Sequence, residues 1–436
     1  MSIDAGSGPV GGGELSRTVV GGETGLGRAR LASRRTGPRE LLLGLLGLLV
    51  LLSLVRLISG VDDLTSAGVM GATLSLSVPV GLAGLGGLWS ERAGVVNIGL
   101  EGMMILGTWG GAFTAWKSGS PWVGLLGGLA FGALGGLLHA VATVSFGVDQ
   151  IVSGVAITIL AGGAARYLSG QLFTGESGGG PTQSPPVPGF SSISVPGADY
   201  LLRGLESRHW FLLSDVAGIL RGVTTQLTWL TVIAVLLVPA SYLVLWRTAF
   251  GLRLRSCGEN PVAAESLGID VYRLKYAGVV ISGALAGMAG VFLVTVSSSI
   301  YREGQTGGRG YIGLAAMIFG NWRPGGLAAG AGLFGYTDAV QLRGGPVAVH
   351  GLLLFVTILL LLAVLLNAYR RRQVGAVVAL VAAAAFFAWY QLSDEVPQQL
   401  VFFTPHLTTL LVLSLASQRL RMPAADGVTY RKGQGG

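Results

Sequence analysis

Charge and cysteine are scarce in this chain. Only 11% of its 436 residues are charged, while 51% are hydrophobic. An ordinary soluble domain carries about 25% charged residues. The shortfall excludes a soluble fold and points to an all-α, polytopic helical membrane protein. Cys257 is the single cysteine, so no disulfide forms within the chain and no cysteine-based metal centre is possible. The four histidines, His139, His209, His350 and His406, fall one per segment, which leaves no cluster to hold a metal. The three lysines follow Trp116, Leu274 and Arg431, so the Gly-Lys pair of a phosphate-binding loop is missing. No Gly-x-Ser-x-Gly elbow, histidine pair or pair of aspartates at span centres supports an intramembrane enzyme. The net charge of +8 is not a nucleic-acid signature, because the basic residues sit in short loops between apolar runs.

Glycine and long apolar runs are abundant. There are 72 glycines. A membrane span needs about 20 apolar residues. That rule gives spans near 40–60, 67–88, 97–116, 122–146, 150–168, 226–246, 276–298, 310–321 (short), 326–342, 347–368, 374–391 and 399–417. The expected total is about 10–12 crossing helices. The first run follows a 38-residue arm and lacks a small-residue cleavage site, so it reads as a retained signal anchor. With that arm placed in the cytoplasm, the inner segments collect 20 of the 29 basic residues. The positive-inside rule then sets both termini in the cytoplasm of a multi-pass plasma-membrane protein. Residues 170–225 form a long outer loop with five of the sixteen prolines. The domain reading is an arm at 1–38, a membrane-spanning bundle at 39–420 and a cytoplasmic tail at 421–436. Small residues four apart, Gly128/Gly132/Gly136, Gly283/Gly287 and Gly326/Gly330, predict close helix packing in lipid.

One stretch breaks the pattern. RTAFGLRLRSCGENPVAAESLGIDVYRLKY, from Arg247 to Tyr276, holds eight charged residues between two apolar spans. Asn260 suits a helix N-cap, Pro261 the first helical position, and Gly268 a left-handed stop. The spacing predicts about two turns, roughly 10 Å long. Val262 and Leu267, with Ala263 and Ala264, form a small apolar knob between charges. Two readings stay open: a surface helix that fixes topology, or a docking element for a cytoplasmic partner.

This stretch and the span after it resemble the cytoplasmic coupling segment of ABC importer permeases, in the branch that serves simple sugars, nucleosides and branched-chain amino acids. GLWSERAGVVNIGLEGMMILG (Gly87 to Gly107), GGRGYIGLAAMIFGNWRPGG (Gly307 to Gly326), VDQIVSGVAITILA from Val148, and the C-terminal GVTYRKG are similar to the nucleoside, or basic membrane protein-associated, type. The resemblance covers most of residues 67–345 and 396–434. It implies that Gly258, Glu259, Asn260, Pro261, Ala263, Ala264 and Gly268 belong to the coupling helix, seated in a groove of a separate cytoplasmic ABC ATPase subunit. ATP and magnesium then belong to that subunit, and this chain binds no cofactor. A second, homologous permease in a heterodimer and an extracytoplasmic substrate-binding lipoprotein are the other implied partners, with lipid around the bundle. Nucleosides are the implied cargo and simple sugars the alternative. An ion-coupled transporter working alone is the competing class. Residues 347–395 depart from the family pattern and read as an inserted pair of spans.

A second constellation is Trp89, Glu91, Asn97 and Glu101, with Ser90 and Arg92. Charges between apolar spans are costly unless paired or wet. Glu91 and Arg92 fit an interfacial turn. Glu101, four residues after Asn97 on one helical face, fits either structural pairing or a polar pathway. Gln150 and Ser153 open another span. Asn321 ends a span too short to cross, a place where membrane proteins build either plain turns or binding and gating elements.

Overall fold

A computed structural model describes residues 38–404 and 420–433. Residues 1–37, 405–419 and 434–436 lie outside the described residues, and with them the N-terminal arm and most of the last expected span. The chain groups into Met1–Leu46 and Gly47–Gly436. Of the first unit only the start of helix α1 (Pro38–Ser59) is described. The architecture below is that of the second.

The described chain is helical almost throughout. After α1 come α2 (Ala67–Arg92), α3 (Leu100–Ser118), α4 (Pro121–Ala140) and α5 (Gln150–Leu172). The outer loop follows, then α8 (Trp229–Arg247), α9 (Ala249–Glu259), α10 (Pro261–Ser266) and α11 (Val271–Phe292). The last set is α12 (Arg309–Phe319), α13 (Pro324–Ala339), α14 (Gly345–Tyr369), α15 (Gln373–Leu392) and α16 (Gln398–Val401). Side-chain caps start several of these helices: Ser66 accepts from the Val69 amide, Asp149 from Ile151 and Val152, and Asp270 from Arg273. Among the described residues, seven helical stretches are long and apolar enough to cross a membrane. This is the polytopic helical class that the composition predicts.

Three differences from the sequence expectation have local causes. The spans expected at 326–342 and 347–368 lie in one apolar run, Pro324–Tyr369, interrupted by a π turn at Val340–Gly344 and by Gly345 at φ +58°. The polar stretch holds an extra helix, α9, because Thr248 caps its start by accepting from the Gly251 amide. The long loop at 170–225 is not merely irregular. It contains α6 (Ala198–Glu206), α7 (Leu213–Thr224) and a two-residue antiparallel ladder of β1 (Ser192–Ile193) on β2 (Leu227–Thr228). Asp199 and Glu206 of α6 grip Arg221 of α7 at 2.8 and 2.7 Å.

Helix α11 is central. Of its apolar window 78% lies inside the protein, against 11% for α15. Gly128, Gly132 and Gly136 of α4 face Gly283 and Gly287 of α11, as the spacing predicts. A methyl built on Gly132 would stand 2.3 Å from the Gly283 carbonyl oxygen, and one on Gly287 would stand 2.2 Å from that of Gly128. Backbones this close allow no side chain, which is how small residues bring helices together where lipid supplies no hydrophobic drive. Gly107 of α3 joins the seam at Gly287. Helices α12 and α13 pack on α2, with Gly84 against Gly313. The pair α14–α15 forms a hairpin at the edge, where His350 stacks on Tyr390 with ring centroids 4.6 Å apart. The N-terminal half of α14 meets Val55, Leu64 and Val69 in one apolar cluster.

Candidate functional site

The polar stretch folds into a compact, well-held element. Asn260 Oδ1 accepts from the Ala263 amide at 3.0 Å, Pro261 takes the first position of α10, and Gly268 ends it at φ +79°. Pro261 and Ala264 are buried. Val262, Ala263, Ser266 and Leu267 face outward, and Leu267 is 81% exposed. The apolar knob is therefore Val262, Ala263 and Leu267; Ala264 points into the protein, against the expectation. Upstream, Gly258 lies against the break between α2 and α3. A methyl there would sit 2.4 Å from the Arg92 carbonyl oxygen. Its own carbonyl accepts from the Ala425 amide of the tail at 2.8 Å. Glu259 stands 3.7 Å from Arg92 and accepts from the Ala424 amide at 3.3 Å.

Cys257 is fully buried in this element, with Sγ 3.3 Å from the Arg253 carbonyl oxygen. Burial pushes its thiol up to about 11. Asp426 of the tail is buried beside Glu91, and neither of its oxygens has a hydrogen-bond donor. Burial pushes its carboxyl up to about 6. A proton shared between the two carboxyls would supply the missing donor.

The motifs Gly87–Gly107 and Gly307–Gly326 meet twice. At one end of α12, Trp322 donates from Nε1 to Glu91 Oε2 at 2.5 Å, and its carbonyl accepts from Arg92 Nε and Nη2 at 3.1 and 2.7 Å. Asn321 and Trp322 both have positive φ, +53° and +52°, a cost these bonds and the Arg421 amide on Asn321 Oδ1 offset. At the other end, Glu101 Oε1 accepts from the Gly308 amide at 2.9 Å and Oε2 from Gly310 at 2.7 Å. Glu101 thus caps the start of α12.

The remaining candidates are also bonded locks. Trp89 Nε1 donates to Ser241 at 3.1 Å. Asn97 Nδ2 donates to Ser282 at 2.9 Å. Gln150 Oε1 accepts from the Val96 amide at 2.6 Å, while His139 joins the Val96 carbonyl and Ser153 at 3.0 and 2.9 Å. These bonds satisfy the buried, non-helical chain of the α2–α3 break, a condition for irregular backbone at membrane depth. Trp89, Glu91, Asn97, Glu101, Gln150 and Asn321 line none of the three cavities described next.

A cavity of about 750 Å³ opens between α2, the outer-loop helices and the chain after α11 and α13. Two smaller ones, about 140 and 200 Å³, share walls with it at Leu76 and with each other at Arg309. Both smaller cavities reach the start of α12. Their walls include π turns, Leu293–Ser298 and Val340–Gly344, features that often mark functional sites. Sequence reading missed this region, because a π turn leaves no mark in hydropathy. Arg309, a cation inside an apolar chain, was the available signal.

A buried lattice of helices, a capped polar helix at one break and a cleft along α12 define a membrane transport subunit. Comparison with known proteins gives its family. A family model described as the permease component of branched-chain amino acid transport systems matches residues 69–365, and the chain belongs to that family. The chain is 32% identical over 376 residues to the guanosine ABC transporter permease NupQ of Bacillus subtilis, covering 84% of this chain and 97% of the relative. It is 33% identical over 371 residues to the nucleoside ABC transporter permease NupC of Lactococcus lactis, covering 82% and 95%. A glucose ABC transporter permease of Haloferax volcanii is 28% identical over 267 residues, covering 60% and 66%. No solved structure matches the chain. The protein is the membrane-spanning permease subunit of an ABC importer, a class whose ATP is used by a partner ATPase and whose cargo is delivered by a binding protein.

Proposed function

We propose that this permease imports nucleosides, that α9 and α10 lie on the cytoplasmic side with both termini, and that α10 docks into the ATPase. The chain has no ATP site of its own, and a second homologous permease completes the channel. An external binding lipoprotein delivers the cargo. The observation that carries this reading is the construction of α10. A short, capped helix presents an exposed apolar tip at Leu267 and is anchored through Gly258 and Glu259 to Arg92. Arg92 in turn holds Trp322 at the end of α12, whose other end opens on the cleft. A push on α10 thus has a stiff route to the cargo cleft. Coupling itself requires two states that both sites bias. Nucleosides are favoured over sugars because the relatives matched over 97% and 95% of their length are named for guanosine and nucleosides, while those named for glucose are matched over 78% and 66%.

The test pairs Gly268→Val with Glu259→Lys in the assembled transporter. A β-branched residue at φ +79° costs about 1–2 kcal/mol and reshapes the end of α10. Both variants are expected to lose co-purified ATPase and nucleoside uptake together. Normal ATPase recovery and normal uptake in both would refute the docking role. Uptake driven by an ion gradient without any ATPase would refute the reading as a whole.

A further inference from the structure

The inner end of the cleft carries polar atoms that the fold leaves unused. Gln305 Oε1 accepts from the Arg302 amide at 2.6 Å, yet its Nε2 is buried without a partner. Gln341 Oε1, on the π turn after α13, is likewise buried and unpartnered. Buried polar atoms in folded proteins almost always find a partner, and leaving one unmet costs about 1–3 kcal/mol. One of these atoms is a donor and the other an acceptor. They line the two small cavities that meet at Arg309. Arg309 Nη1 bonds to the Gln305 and Thr306 carbonyl oxygens at 3.3 and 3.2 Å, which aligns the guanidinium along the same wall. Among the described residues it forms no ion pair. Phe334 supplies an apolar surface, and Ser75 and Ser297 line the passage to the large cavity.

The charge pattern restricts what fits. The start of a helix attracts anions, and Arg309 adds a positive charge at that point. Glu101 has already taken the anion position, since its two oxygens hold the amides on either side of Arg309. The carboxylate of Asp338 lines the same cavity as Arg309 and Gln341, and a second carboxylate or phosphate would meet it in a place of low dielectric, where like charges repel strongly. What remains favourable is an uncharged ring that both accepts and donates hydrogen bonds and has an apolar face.

We propose that the cleft at Gln305, Arg309, Gln341 and Phe334 is the cargo-binding site, that the two free amide atoms pair with the edge of a nucleobase, and that Asp338 excludes anionic cargo. This assignment rests on the nucleoside reading above. The probes are radiolabelled guanosine and guanosine 5′-monophosphate, applied to the complete transporter in liposomes. At nearly constant volume, Gln341→Leu removes one hydrogen bond to the ligand, and Gln305→Leu removes another together with the bond from the Arg302 amide. Each is expected to weaken guanosine uptake about tenfold while the ATPase co-purifies normally. The monophosphate is expected not to compete. A second measurement covers variants that fail to assemble: Ser75→Cys in a Cys257→Ser background should react with a thiosulfonate reagent and be protected by guanosine.

Wild-type guanosine uptake with both glutamine variants unimpaired, or no protection of the introduced thiol, overturns the site and leaves the cargo reading standing. Equal competition by the monophosphate overturns the exclusion by Asp338. A wild-type transporter indifferent to every nucleoside overturns the cargo reading and the proposed ligand with it.

Discussion

Removing the Glu101 carboxylate tests how α12 is held. The side chain is 5% exposed, and its two oxygens are spent on the Gly308 and Gly310 amides at 2.9 and 2.7 Å. Hydrogen bonds to a charged group contribute about 1.5–3 kcal/mol each. Glu101→Ala loses both and strands the buried Gly310 amide, at about 1–3 kcal/mol, and the half-buried Gly308 amide, at less. It also relieves the desolvation of a buried carboxylate, a penalty of several kcal/mol. The opposing terms leave a net loss of about 2–4 kcal/mol. Glu101→Gln keeps one acceptor and turns its NH2 toward the second amide, donor against donor. About half the loss, roughly 1–2 kcal/mol, is expected there. The assay is denaturation of the solubilised protein in mixed detergent, followed by tryptophan fluorescence, with assembly scored by co-purification. Stability should fall in the order wild type, Gln, Ala. An alanine variant as stable as wild type would refute the capping argument and return Glu101 to a pathway role.

Three further outcomes follow from the same geometry. Gly287→Ala should impair assembly of the bundle, because the new methyl would stand 2.2 Å from the Gly128 carbonyl oxygen; wild-type expression and uptake would show that the α4–α11 seam yields easily. The Asp426 carboxyl, raised to about 6 by burial against the opposing pull of Glu91, Lys275 and Arg92, binds its proton more readily folded than unfolded. The tail should therefore dock more tightly near pH 5 than at pH 7, with stability falling as pH rises from about 4 through about 6. Limited proteolysis at Arg431 and Lys432 reads the docking, and Asp426→Asn should flatten the profile. Cys257, buried and with its thiol near 11, should resist maleimide at neutral pH until the protein unfolds. Rapid labelling would contradict the packing of α9, and its absence means that a crosslink to the ATPase needs a cysteine introduced at Leu267.

The class of protein was legible from composition and from runs of apolar residues. So was the α10 cap. Asn260, Pro261 and Gly268 act through local backbone geometry, which a sequence states directly. The α4–α11 seam was legible for a similar reason: glycines four apart share one helix face. The partners of Glu101 were not. They lie more than 200 residues away, and nothing in the periodicity of α3 points to a glycine turn before α12. Nor were Trp322 as the partner of Glu91, 231 residues away, and the Val96 amide as that of Gln150, 54 residues away.

The sequence alone determined that the chain is a membrane bundle and where its one polar helix begins and ends, since hydropathy and capping depend on neighbours along the chain. Tertiary structure alone decided which buried polar groups are satisfied and which are left open. Glu101 and Gln341 are both polar residues in apolar surroundings. Only the approach of distant backbone makes the first a cap and leaves the second facing a cavity.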